Sequence, residues 1–234
     1  MLKIDNWMIN WKGAPNGKAP VSKTGTSKGV CGFKSHPFRQ LGKLRKSIAF
    51  LLNNSSSKSY GVIFDVYQWE QELFDGTKTI FEKLKHPDTV VVFPVLDDGK
   101  IILTEQEQPG KQSFIGATGG RIDDGEDILE AAKRELLEES GYEASEFILW
   151  DTQHPTSKID WVIYTFIAKG LKKVSDMNLD AGEKITLKPV NFDEFIELGT
   201  NKKFAEKEII FKLLEAKLYP EKKEELRKLF NPKF

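Results

Sequence analysis

Residues 119–142 read GGRIDDGEDILEAAKRELLEESGY, and no other stretch restricts the fold as much. Ile128, Leu129, Ala132, Leu136 and Leu137 fall at helical spacing, so this segment is a helix with one apolar face to bury against a body. Gly141 supplies its carboxy-terminal stop, and Gly120 lets the chain turn tightly into the loop before it. Glu135, Glu138 and Glu139 then stand at i, i+3 and i+4, on one face of a single turn. Like charges at that spacing repel and destabilise an isolated helix. A solvated face tolerates them. Alternatively they converge on a hard divalent cation, which takes one or two carboxylates together with water and substrate phosphate.

The flanking segments predict the body. Residues 60–85 alternate apolar and polar on both sides of Asp75-Gly76, a hairpin pattern. TVVVFPVL and DDGKIILTEQEQ predict a second hairpin, whose first strand is apolar enough to be buried on both faces. FILWDT and DWVIYTFIAKG predict two more strands, with HPTSKI as the loop between them. ITLKPV leads into a helix at NFDEFIELG, capped by Asn191 and stopped by Gly199. In KKFAEKEIIFKLLEAKLYP, the residues Phe204, Ile209, Ile210, Leu213, Leu214 and Leu218 share one helical face. Strands alternating with a few helices predict an α/β domain with a mixed sheet and helices on both faces.

Composition excludes several classes. No apolar run approaches the length that spans a bilayer. The single cysteine, Cys31, excludes an internal disulfide framework and a cysteine-based zinc cluster, and fits a reducing compartment. No apolar core follows the first basic residue, so no secretory signal and a cytoplasmic location are expected. The net charge of zero hides a division: residues 1–58 hold 11 Lys or Arg against Asp5 alone, and the remainder holds 24 basic and 34 acidic residues. The basic, acid-poor first segment reads as a flexible extension, with a nucleic-acid-binding arm or a targeting segment as alternatives. It carries no binding motif, so nucleic acid is not the expected partner.

With these residues set out, residues 120–142 resemble the Nudix box. Gly120 is followed after five residues by Glu126, and after seven more by Arg134-Glu135. Leu136-Leu137, Glu138-Glu139, Ser140, Gly141 and Tyr142 complete it. All seven fixed letters match, and only Tyr142 stands where an aliphatic residue is usual. The resemblance implies a Nudix-type α/β/α sandwich with a mixed sheet and a small β-hairpin before it. It implies hydrolysis of a nucleoside diphosphate linked to another moiety, with magnesium as the cofactor and manganese as an alternative. Glu135 and Glu139 are the implied principal metal ligands, Glu138 a further ligand or water-activating group, and the Gly119 carbonyl a backbone contact. Glu126 and Arg134 are implied to brace loop against helix, which leaves Glu130 and Asp127 as a solvated face.

The flanks resemble the ADP-ribose pyrophosphatase branch. His86-Pro87 precedes the first core strand, and Glu105-Gln106 ends the next, which makes Glu105 a candidate substrate contact. Residues 59–88 resemble the strands that this branch uses to dimerise, so a homodimer is expected. Trp69 there either stacks on adenine or belongs to the hairpin core. Asp160, in the loop HPTSKID, falls where the branch places a catalytic glutamate; it is either the base or a loop cap, and Glu138 or Glu139 is otherwise the base. Two departures stand out: Gln108 occupies a usual arginine position, and Gly116-Ala117-Thr118-Gly119 replaces Glu-x-Pro-Ala, removing a carboxylate. ADP-ribose cleaved to AMP and ribose 5-phosphate is the first expectation. Other nucleotide sugars, dinucleotides, nucleoside triphosphates or a non-catalytic ligand-binding Nudix module are the alternatives. The expected organisation is residues 1–58 as extension, 59–88 as hairpin region and 89–234 as the Nudix domain.

Overall fold

In the computed structural model, residues 57–233 and the backbone of residues 9–12 are described. Apart from those positions, the expected extension over residues 1–58 lies outside the described residues. Two compact units are present. Of the described residues, one comprises 9–12, 87–155 and 161–233; the other comprises 57–86 and 156–160.

The larger unit is built on β5 (Thr89–Pro94), whose residues are buried from Val90 onward. Both edges of β5 are paired, with β8 (Thr118–Arg121) antiparallel and β11 (Ile163–Lys173) parallel. β9 (Tyr142–Gln153) and β1 (Ile9–Lys12) extend the sheet in the order β1-β9-β11-β5-β8. Pleating sends alternate side chains of β5 to opposite faces. Val90 and Val92 join Ala131, Ala132 and Leu136 of helix α1 (Ile128–Ser140), while Val91 and Phe93 join the opposite cluster. That second cluster contains β6 (Ile101–Glu107) and the helices α2 (Phe192–Glu197), α3 (Ile210–Leu218) and α4 (Pro220–Leu229). A mixed sheet therefore lies between helices, which is the expected sandwich.

β5 and β6 do not form the expected hairpin. The DDG turn is present, with the Leu96 amide donating to Lys100 O at 2.8 Å, but among the described residues only a bridge between Val95 and Ile101 follows. A strand has two edges, and both edges of β5 are taken. β6 instead pairs with β12 (Lys184–Val190) and β7 (Phe114–Gly116) in a second, three-stranded sheet.

Two helix expectations are also corrected. Asn191 caps α2 in a reciprocal capping box with Glu194, but Gly199 does not stop it by a left-handed turn. Gly199 lies in a 3-10 turn, where an added Cβ would sit 3.0 Å from Leu213 Cβ; its small size serves packing. The apolar series from 204 to 218 is only partly one helix face. Phe204 is buried ahead of the helix, bridged to Ile115, and Leu218 at the helix end is 70% exposed.

The smaller unit is a sheet of order β10-β4-β3-β2, from Ile159–Asp160, Lys78–Lys85, Asp65–Glu72 and Ser57–Tyr60. β3 and β4 form the expected hairpin about Asp75-Gly76, with Glu72 opposite Lys78. Among the described residues, no helix is long and apolar enough to cross a membrane.

Candidate active site

The loop into α1 is held from both sides. Asp127 is exposed, as expected of a solvated face, and it also accepts from the amides of Leu129 and Glu130 and so caps α1. Glu130 is likewise exposed and pairs with Lys133 at 2.7 Å. Gly141 closes the helix with φ 67°, donating its amide to Leu137 O.

Arg134 links the loop to the helix. Its Nε and Nη2 each donate to one oxygen of Glu126 at 2.9 Å, a bidentate pair, and Nη2 also donates to Arg121 O at 3.0 Å. Glu126 in turn accepts from the Asp123 amide at 3.0 Å. The hydrogen bonds from Arg134 hold the Glu126 carboxyl below its ordinary range. Nη1 reaches further along the helix to Glu135 Oε1 at 2.8 Å and to Glu138 Oε2 at 3.2 Å.

At the other end of this row the balance reverses. Glu139 is 5% exposed and, among the described residues, accepts a single hydrogen bond, 2.7 Å from the Gly119 amide. Burial, helped by the negative charges of Glu135, Glu183 and Glu206, pushes its carboxyl up to about 8. Burial also raises Glu135, more than its contact with Arg134 lowers it. The backbone must approach closely for this. A Cβ on Gly119 would meet Val90 O at 2.2 Å, and a Cβ on Gly120 would meet Glu135 Oε1 at 2.4 Å.

These donors are all oxygen, the chemistry a hard divalent cation selects. Among the described residues no three acidic, His or Cys side chains already converge as a closed cluster. Glu135 and Glu139 with the Gly119 backbone nevertheless fit a cation whose remaining ligands are water and phosphate.

The other expected site residues are on other elements. Glu105, on β6, is half exposed, pairs with Lys188 at 2.7 Å and lines a cavity of about 280 Å³ with Phe114, Lys184 and Lys203. Trp69 and Asp160 belong to the smaller unit. Trp69 packs at 6.2 Å from the Phe81 ring and donates to Gln71, consistent with the hairpin-core alternative. Asp160 lies on β10 opposite Lys85, and its carbonyl accepts from the His86 amide at 3.0 Å.

Two acids near the site escape the motif. Glu183 lies in the loop before β12, close enough to raise both Glu135 and Glu139. Its only local signal is the turn in DAGE. Glu206 accepts from the Ala117 amide at 2.9 Å; it has no sequence signal, because the pairing spans 89 residues.

An α/β/α sandwich with this loop and helix defines a hydrolase of nucleotide-linked diphosphates. Residues 85–213, more than half of the chain, match the NUDIX domain, and the chain belongs to that family as a Nudix pyrophosphohydrolase. Among its relatives is the methanol dehydrogenase activator of Bacillus methanolicus, 34% identical over 130 residues, 54% of this chain and 70% of the relative. Another is the ADP-ribose pyrophosphatase of Bacillus subtilis, 29% identical over 141 residues, 59% of this chain and 76% of the relative. A crystal structure of an ADP compounds hydrolase shares the fold, with a TM-score of 0.59 at 23% identity over 71% of this chain and 91% of that one.

Proposed function

We propose that the chain hydrolyses ADP-ribose to AMP and ribose 5-phosphate, with magnesium or manganese held by Glu135, Glu139 and the Gly119 carbonyl. The observation that carries this reading is the pair Glu135 and Glu139, two carboxylates on adjacent turns whose ionised forms are disfavoured by burial. Such a pair is stabilised by a cation. The similarity to a relative named ADP-ribose pyrophosphatase supports the substrate. When bound, the cation neutralises the diphosphate and lowers the pKa of a ligated water.

The protein's own groups do the rest. Arg134 and Glu126 fix the loop so that the Gly119 backbone faces Glu139. Glu138 is the most exposed of the three helix carboxylates, at 39% of its side chain, which supports it as the group that would accept the proton of the attacking water. Asp160 and Glu183 are the competing bases. The smaller unit exposes the single apolar side chains Val62, Phe74 and Ile80 at separate places along the chain, and the homodimer reading rests on the resemblance of residues 59–88 to strands that dimerise.

The test is product identification from a panel of ADP-ribose, other nucleotide sugars, NADH and nucleoside triphosphates with magnesium. AMP plus ribose 5-phosphate, formed fastest from ADP-ribose, is expected. Preference for another member reassigns the substrate, and no turnover of any member overturns the reading.

A further inference from the structure

The segment before α3 runs beside β7 as a short parallel ladder. The Ile115 amide donates to Lys203 O at 2.9 Å, and the Ala205 amide donates to Ile115 O at 2.7 Å. In a parallel ladder the next donor, just past β7, is the Ala117 amide, and its acceptor is the Ala205 carbonyl. That carbonyl is already taken, because the chain turns into helix and the Lys207 amide donates to it at 2.8 Å. The Glu206 side chain fills the missing rung, with Oε1 accepting from the Ala117 amide at 2.9 Å.

Ala117 is 4% exposed, so this amide has no ready replacement in water. Its carbonyl is tied down as well, accepting from Thr104 Oγ1 at 3.2 Å. Two residues on, the Gly119 amide donates to Glu139. The segment 117–119 leading into β8 is therefore gripped by one carboxylate at each end, Glu206 from the carboxy-terminal segment and Glu139 from α1. The residue at 116 fits the same arrangement. A Cβ on Gly116 would lie 2.9 Å from Glu206 Oε1, and Gly116 has no left-handed φ that would demand glycine. Glycine at 116 leaves room for the Glu206 carboxyl.

We propose that Glu206 is a positioning residue for the proposed hydrolysis: by accepting from the Ala117 amide it sets the backbone at Gly119 against Glu139. This rests on the cation reading of Glu135 and Glu139, but not on which substrate is cleaved. Groups that orient metal ligands from behind typically contribute roughly 10–100-fold to metal affinity.

The experiment titrates manganese into substrate-free protein, reading free manganese by electron paramagnetic resonance, with kcat and KM followed in parallel. Glu206→Ala removes the acceptor and should weaken manganese binding by roughly 10–100-fold. Its kcat should recover at high metal, with KM for the nucleotide unchanged. Glu206→Gln keeps an acceptor oxygen and should bind close to wild type. Gly116→Ala crowds the carboxyl from the other side and should weaken binding in the same direction, so it serves where Glu206→Ala does not fold. Unchanged affinity in Glu206→Ala or in Gly116→Ala overturns the proposal, as does an equal loss in Glu206→Gln. Failure of the substrate panel with these affinity differences intact overturns the ADP-ribose reading alone. Wild-type protein that binds no manganese overturns both.

Discussion

Two glutamates of the motif, one in the loop before α1 and one in its last turn, are in opposite electrostatic states. Glu126, facing the start of α1, has a bidentate guanidinium and a backbone amide, and its carboxyl is held low. Glu139, three turns away, has one amide and more burial, and its carboxyl is pushed up to about 8. Residue type is the same, and although Glu126 lies in the loop and Glu139 on the helix, the difference comes from what surrounds each carboxylate. One is saturated with donors and acts as scaffold; the other is short of positive charge and is where a cation gains most.

The comparison breaks most visibly under substitution. Glu139→Gln should lower kcat by about 10²-fold or more, as expected when a group supporting the reacting water is lost. The same change should raise the melting temperature of the metal-free protein, because a buried carboxylate short of partners is replaced by a neutral amide. Glu126→Gln should do the reverse in the metal-free protein. It weakens a partly buried charged pair, at a cost of about 1–3 kcal/mol in thermal or urea unfolding. Loss of stability in Glu139→Gln equal to that in Glu126→Gln would erase the distinction between the two glutamates.

A pH series sharpens it. The Glu139 carboxyl rises from an ordinary 4.5 to about 8 on folding, so between those values the folded state binds a proton that the unfolded state has lost. Stability contributed by this group is then present below about pH 4.5 and lost as pH rises toward about 8. A divalent cation binds the ionised form, so its stabilisation should be larger at pH 8 than at pH 5, measured as the shift in melting temperature on adding magnesium. Glu139→Gln should flatten this dependence, and a wild-type shift that is equal at both pH values would contradict it.

What the sequence makes legible follows from the range of each interaction. The face, stop and carboxylate row of α1 are periodic and local, and β5 announces burial on both faces by its unbroken apolar run. The expected β5-β6 hairpin fails because a turn fixes a reversal and not a partner; β8 and β11 claim both edges of β5 from about 30 and 70 residues away. Glu183 and Glu206 are invisible for the same reason. Each reaches the site through a strand or segment placed by tertiary pairing, with no spacing to mark it. Gly199 has the right residue type for a helix stop, but its environment uses its size instead.

The smallest effect separates Asp127 from Glu130, neighbours that the sequence places together on a solvated face. Asp127 satisfies two otherwise unpaired amides at the start of α1, while Glu130 makes one exposed ion pair with Lys133. Asp127→Ala should cost about 1 kcal/mol of stability, the usual value for a lost cap. Glu130→Ala should fall within about 0.5 kcal/mol of wild type, since exposed pairs contribute little. Neither side chain faces Gly119, so manganese affinity should be unchanged in both. A matched affinity loss in Asp127→Ala would mean that the cap positions the far end of the helix, extending the scaffold to the whole of α1.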